Sequence, residues 1–494
     1  MTVGFSCLAM DLGASSGRAI LGRFDGSILH IQEIHRFANR PLLLPEGLHW
    51  NVQDLYQEIL LSIAAASRHE SLLTSLGIDS WGLDFALLDS AGALLGVPFH
   101  YRDVRTQGMM EKAFQRMPRS EIFALTGIQF MEINSLFQLL SMVESNSRAL
   151  QLADRLLTIP DLFNYWLTSE QACELTIATT TQCYDPRQGD WAWPVIEAMS
   201  IPKRIFGHVV PPGTVLGEIR SELAAETGTG KLKVICPACH DTASAVAAAP
   251  ALSADYAYIS SGTWSLVGAE TQSPVIDAHS LRWNFTNEAG ASGHFRLLKN
   301  IAGMWLVQEC RRYWEAHGSV FDYPELIHLA AAVKPRFAFI HPNDPRFLSP
   351  GDMPGRISQC CRETGQPMPE APGEVVRCIL ESLALAYRGI IEHLENNFGR
   401  KVEVIHILGG GSQNTLLNQM TADATGKPVV AGPVEATALG NIVVQLVALG
   451  ALSNLEQGRE VIRRSFELHT YEPAQTSDWD EAYHRWRELW GAIG

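Results

Sequence analysis

The sequence has no apolar run long enough to cross a bilayer, which takes about 20 residues in succession. The nearest stretch, from Ala243 to Ile259, is alanine-rich and broken by Pro250 and Asp255. Positive charge is scarce: 38 Lys and Arg stand against 53 Asp and Glu, for a formal net charge of −15. With no basic run either, the composition argues against a nucleic-acid or membrane-surface partner. An anionic substrate would have to be held by local backbone N–H groups, a few cations or a metal. The nine cysteines are odd in number and too sparse for a disulfide framework in 494 residues. They read as small buried apolar groups in a reducing compartment. The opening residues lack the basic region, apolar region and cleavage site of a secretory signal, so the expected location is the cytoplasm.

Three familiar signatures are absent or lack their context. Gly228-Thr229-Gly230-Lys231 ends like a phosphate-binding P-loop, but Ala225 and Leu232 occupy positions that need Gly and Ser or Thr. No GxGxxG follows the first strand. Cys236-Pro237-Ala238-Cys239-His240 matches a haem-attachment or CxxC redox pattern. Haem attachment normally needs an exported chain, and no second cysteine pair completes a four-ligand zinc site.

What is present is ordinary globular sequence, 46% apolar and 18% charged. The length suggests two large domains or three smaller ones. Two segments predict strand–turn–strand units with small residues at the turn: Cys7–Leu21 around Gly13-Ala14-Ser15-Ser16-Gly17, and Ala257–Val267 around Ser260-Ser261-Gly262-Thr263. Lying about half a chain apart, they suggest two domains of similar construction, although the letters show no clean repeat. Asn51 can cap a helix with Leu55, Ile59 and Ile63 on one face. A longer helix is expected over 374–398, with Ile379, Leu383, Tyr387, Ile390 and Leu394 as its buried stripe. A strand over 402–408, Gly409-Gly410-Gly411 and a helix over 415–425 follow. The order argues for an α/β protein. Seven prolines make 341–373 loop-like. The Pro/Ala/Ser-rich stretch at 244–256 marks a domain boundary, giving domains 1–245 and 246–494, with the last helices able to pack back across the division.

The strongest local chemistry lies at Asp11–Arg18. A carboxylate at the end of a buried strand is costly unless it has a task or a partner. Gly13, Ser15, Ser16 and Gly17 let backbone N–H groups and hydroxyls converge on an anion, and Arg18 adds a cation able to fork onto phosphate oxygens. The plainer alternative is a tight hairpin capped by its Asp. Ser260–Thr263 repeats this chemistry without charge, and Gly409–Gly411 allows close backbone approach to a ligand. After a strand at Val234-Ile235, Asp241 leads a small-residue helix. It can serve as a general base on a hydroxyl or simply as a helix N-cap. In Ile78-Asp79-Ser80-Trp81-Gly82-Leu83-Asp84-Phe85, aromatics beside carboxylates suit a sugar. The same letters also suit a strand bulged at Gly82.

Taken in order, these segments resemble the FGGY carbohydrate kinases, and among them the rhamnulokinase branch, over nearly the whole chain. Leu298-Lys299-Asn300-Ile301, Gly409–Asn414 and Gly432-Pro433-Val434-Glu435-Ala436 extend the match. The resemblance implies two actin-like (ribonuclease-H-like) domains with an interdomain catalytic cleft. It implies Mg-ATP as donor and a ketose as acceptor, with L-rhamnulose phosphorylated on its 1-hydroxyl. L-Fuculose, another ketose, or a non-catalytic sensor on the same scaffold are the alternatives. Carried over by position, Asp241 is the catalytic base. Gly82, His240, Asp241, Thr242 and Asn300 bind the sugar. Ala14, Ser15, Ser16, Gly17, Arg18, Thr263, Gln308 and Gly410 bind the nucleotide, and Asp11 acts on Mg²⁺. Cys239 departs from the family pattern, which more often has a hydroxyl or small residue there. A monomer or small homo-oligomer is expected.

Overall fold

The computed structural model describes residues 4–70 and 72–491. The chain divides into two compact units. The first comprises Met1–Pro250, Glu270–Leu297 and Ala436–Phe466; the second comprises Ala251–Ala269, Leu298–Glu435 and Glu467–Gly494.

The first unit is built on a six-stranded sheet in the order Val215–Glu218, Lys233–Ile235, Ser75–Ser80, Phe5–Leu12, Ser16–Phe24, Leu29–Ala38. Phe5–Leu12 runs antiparallel to Ser16–Phe24 and parallel to Ser75–Ser80, with Asp11 opposite Arg18 on one side and Asp79 on the other. Side chains alternate across a strand, and this one is buried on both faces. Leu8, Met10 and Leu12 share a core with Leu55, Ile59 and Ile63 of helix Val52–His69. Asn51 caps that helix, accepting from the Asp54 N–H. On the strand beside it, Gly22 comes so close to helix Ala436–Ala448 that a Cβ there would lie 2.7 Å from Ile442. Gly440 of the same helix approaches helix Asp241–Ala247 still more closely: a Cβ would sit 1.7 Å from the Ser244 carbonyl oxygen.

The second unit repeats the plan. Strand Tyr256–Ser261 runs antiparallel to Trp264–Thr271 and parallel to Val404–Leu408, which is parallel to Val429–Ala431. The expected long helix spans Pro372–Asn396, and all five residues of its stripe are 0% exposed. The helix expected at 415–425 is Thr415–Thr425, capped by Asn414. The loop expected over 341–373 is in fact interrupted by helix Met353–Glu363. Pro354 does not break it, because it lies in the first turn, where its missing N–H bonds to nothing in any helix. Asp352 caps that turn by accepting from the Gly355 N–H.

Two other expectations meet the structure at this level. Gly228 ends helix Ser221–Thr227 with φ +72°, and the Lys231 side chain is 86% exposed, so the P-loop-like letters form a turn. Among the described residues no helix is long and apolar enough to cross a membrane.

Candidate active site

In the first unit the turn after Phe5–Leu12 is fastened from behind. Gly13 N–H donates to the Ser16 carbonyl, while Asn39 donates to the Gly13 carbonyl through its side chain and to the Ser15 carbonyl through its backbone. Ala14 and Ser16 are half-buried, Ser15 is exposed, and Gly17 is buried. Gly17 packs directly against the Phe37 ring, from which a Cβ would lie only 2.3 Å. Arg18 places Nε and Nη2 at 2.9 and 2.6 Å from Asp11 Oδ2. The cation and the strand-end carboxylate of the motif are therefore paired.

Asp79, the cross-strand neighbour of Asp11, is 0% exposed. Asn441 Nδ2 donates to its Oδ2 at 2.6 Å, and its Oδ1 has no hydrogen-bond partner among the described residues. Burial, with Asp11 adding to it, pushes its carboxyl well above the usual range. Strand Ser75–Ser80 then stops, and Phe85–Leu88 restarts in a separate two-stranded sheet. The bulged-strand alternative is thus replaced by a break, with Leu83 at φ +78°. Gly82 sits against Thr180: a Cβ would be 3.0 Å from its Oγ1, which accepts from the Leu83 N–H. The aromatics are structural. Trp81 is 6% exposed, its ring lies 4.0 Å from that of Trp50, and both indoles donate to Asp84 Oδ2. Tyr101 N–H and Gln138 Nε2 supply two further donors to the Asp84 carboxylate. A fully buried acceptor with four donors is a framework group.

The segment leading to Asp241 is clamped at several points. Cys239 N–H donates to Glu174 Oε2, and His240 N–H donates to Thr176 Oγ1, which itself donates to Glu174 Oε2 at 2.6 Å. The Cys239 carbonyl accepts from the Ser80 N–H, tying the segment to strand Ser75–Ser80. Burial pushes the Glu174 carboxyl up to about 7 and that of its neighbour Asp161 up to about 8. His240 takes the N-cap position of helix Asp241–Ala247, and no side chain makes a capping bond there. The helix-cap alternative for Asp241 therefore does not hold. The Asp241 carboxylate accepts from Thr242 Oγ1 at 3.1 Å, lies 3.5 Å from His240 Nε2, and is 32% exposed. Its carboxyl is raised: burial pushes it up and Asp11 adds to this, while His240 opposes it. A partly solvent-facing carboxylate of raised basicity, with only Thr242 and His240 in polar contact with it among the described residues, is suited to accepting a proton from a hydroxyl.

In the second unit the turn after Tyr256–Ser261 is held by the segment beyond strand Phe295–Ala302. Gly303 and Trp305 N–H groups donate to the Thr263 carbonyl, and Met304 N–H donates to that of Gly262. Thr263 Oγ1 stands 3.4 Å from Gln308 Oε1, so two of the expected nucleotide residues meet. Gly409 turns the chain with φ +80°. A Cβ on Gly411 would lie 2.0 Å from Ser261 Oγ, whereas one on Gly410 would meet no atom within 4 Å. Gly410 therefore presents open backbone while Gly411 packs the two turns together. Asn300 is half-buried, and its carbonyl accepts from Asn343 Nδ2.

Comparison with known proteins identifies the family. Residues 6–248 match the N-terminal domain, and residues 257–449 the C-terminal domain, of the FGGY family of carbohydrate kinases. The chain belongs to this family. As a carbohydrate kinase it is an enzyme that uses ATP. It is 45% identical over 475 residues to a rhamnulokinase of Bacteroides thetaiotaomicron, covering 96% of this chain and 97% of that one. It is 40% identical over 464 residues to a rhamnulokinase of Oceanobacillus iheyensis, covering 94% and 97%. A ligand-bound xylulose kinase from Lactobacillus acidophilus shares the fold with a TM-score of 0.81 at 16% identity, covering 99% of this chain and 98% of that one.

Several residues that belong to no sequence motif hold these segments in place. Glu174, Thr176 and Thr180 sit in a run of threonines that carries no motif. Asn441 and Gln445 lie far along the chain, yet bond to Asp79, Ser75 and the Leu8 carbonyl. The cysteines of the CxxC segment are free and buried, as are the other seven. Among the described residues no three His, Cys, Asp or Glu side chains converge as a metal site.

Proposed function

We propose that this kinase transfers the terminal phosphoryl group of ATP to the 1-hydroxyl of L-rhamnulose. The observation that carries the proposal is the 45% identity to a rhamnulokinase over 96% of the chain. In this reading Gly82, His240, Asp241, Thr242 and Asn300 bind the sugar. Ala14, Ser15, Ser16, Gly17 and Arg18 contact the nucleotide, as do Thr263, Gln308 and Gly410.

Phosphoryl transfer proceeds through a loose transition state, so catalysis comes mainly from positioning and charge neutralisation. Asp241 orients the sugar hydroxyl and takes its proton as the new P–O bond forms. Its raised basicity and its exposure both support that role. Thr242 Oγ1 steadies the carboxylate, and His240 stands beside it to receive a second hydroxyl.

Mg²⁺ fits the residues present. Magnesium is usually held by one or two carboxylates with water and substrate phosphates. Asp11 and Asp79 are adjacent strand-end carboxylates, and Asp79 Oδ1 is buried with no partner among the described residues. Asp11, directly or through water, is the residue we assign to the ion, which when bound would neutralise developing phosphate charge. Arg18 serves the same electrostatic purpose from the protein side.

The test is a coupled ADP-release screen over ketoses, aldoses and polyols. L-Rhamnulose should give the highest kcat/KM. A value about tenfold higher for L-fuculose, D-xylulose or glycerol, a difference of about 1.4 kcal/mol in barrier, would overturn the substrate assignment. No ADP release above background with any sugar would point to the non-catalytic sensor alternative.

A further inference from the structure

The His240 ring is engaged by two buried charges that no motif announces. Strand Thr286–Ala289 contributes Glu288, and the following strand contributes Arg296, which is 0% exposed. Arg296 Nη2 lies 3.0 Å from Glu288 Oε2 and 3.1 Å from His240 Nδ1. Glu288 Oε2 lies 3.2 Å from the same Nδ1. Arg296 Nε donates to the Ala289 carbonyl, so the guanidinium is itself fixed. Burial pushes the Glu288 carboxyl up, but Arg296 and His240 outweigh it and hold it below the usual range.

Burying an ion pair is a poor route to stability, because desolvation consumes most of the Coulomb gain. This pair therefore calls for another explanation, and its geometry supplies one. Glu288 can only accept from Nδ1–H, and Arg296 can only donate to an Nδ1 lone pair. Either bond pins the plane of the ring and consumes Nδ1. That leaves Nε2, 3.5 Å from Asp241 Oδ1, as the one ring nitrogen still available. We propose that Glu288 and Arg296 are positioning residues that aim His240 Nε2 at a hydroxyl of the acceptor sugar and so set how tightly the sugar is held. This rests on the assignment of His240 and Asp241 to the sugar site.

The test is a mutant cycle on the full-length enzyme, with L-rhamnulose and ATP kinetics and melting temperature recorded for each variant. Glu288→Gln/Arg296→Gln removes both charges together and leaves neither buried alone. Its KM for L-rhamnulose should rise roughly tenfold, the scale of one charge-assisted hydrogen bond, with the KM for ATP unchanged. Placed on a His240→Asn background, the same pair of changes should have no further effect, because its influence passes through the ring. Arg296→Lys keeps the buried charge but shortens the reach to Nδ1. It should stay folded, with a lower melting temperature because the Ala289 carbonyl loses its Nε–H donor, and still raise the sugar KM, which keeps the test decisive if the double variant fails to fold. An unchanged sugar KM in folded variants, or effects that add to those of His240→Asn, would overturn the inference alone. An unchanged sugar KM in His240→Asn itself would overturn the sugar-site assignment beneath it.

Discussion

Replacing Asp241 by Asn separates chemistry from structure, because the geometry gives the carboxylate little structural work. It makes no capping bond for helix Asp241–Ala247, and the amide oxygen of Asn can still accept from Thr242 Oγ1, now at 3.1 Å. What is lost is the charge and the capacity to take a proton. General acid–base assistance supplies about 10²–10⁴-fold, which corresponds to about 2.7–5.4 kcal/mol of barrier. We expect kcat to fall within that range, with the KM for ATP little changed. Stability should move the other way. Burial raises the Asp241 carboxyl above its value in the unfolded chain, so the ionised form works against folding at neutral pH and is relieved as pH falls through the raised value. The neutral Asn escapes this, and the melting temperature should hold or rise at pH 7. The wild-type kcat/KM should also show an acid limb above the usual carboxylate range that Asp241→Asn lacks. Asp255→Asn, on an exposed stretch beside Lys401, is the silent control. A folded Asp241→Asn enzyme that keeps most of its activity would refute the reasoning. Asp84 could not then inherit the role, since its carboxylate already has four donors.

Three further outcomes follow from the packing. Gly440→Ala places a Cβ 1.7 Å from the Ser244 carbonyl oxygen and forces helix Ala436–Ala448 away from the strands that Asn441 and Gln445 grip. Overpacking costs about 1–3 kcal/mol and each lost bond about 1 kcal/mol, so a thermal melt should fall by roughly 5–10 °C. Gly410→Ala and Gly411→Ala should differ in kind: the first should keep the melting temperature and raise the KM for ATP, while the second, with its Cβ 2.0 Å from Ser261 Oγ, should destabilise the protein. Arg18→Ala removes both bonds to Asp11 Oδ2 and leaves that carboxylate beside Asp79 without its counter-charge, so steady-state kinetics should show kcat/KM for ATP reduced at least about tenfold.

The parts of this architecture visible in the letters are those set by local chemistry. Both hairpins, the Asn51 cap and the stripe from Ile379 to Leu394 follow from turn residues and periodicity over a few residues. The paired hairpins already point to two units of similar construction, but the order of strands in each sheet is not legible, because it is fixed by which strands meet, and Tyr256–Ser261 and Phe5–Leu12 have few letters in common. Pro354 was misleading because proline breaks a helix interior yet suits a first turn, and only the cap at Asp352 tells the two apart. In the site, Asp11, Arg18 and Asp241 stood out because charge at a strand end is conspicuous. Glu288, Arg296 and Glu174 did not, since each acts on a residue 48 or more positions distant or through a backbone N–H that leaves no trace in sequence. Around Trp81 and Asp84 the letters suit a sugar or a bulged strand equally, and only burial shows that the two side chains are committed to one another.

The most direct test of the central claim is the identity of the product. The purified enzyme, incubated with L-rhamnulose, ATP and Mg²⁺, should yield one ADP for each sugar phosphate, and phosphorus–proton correlation in the NMR spectrum should place the ester on the C1 methylene. An ester at another carbon, or ADP formed with no sugar ester, would contradict it.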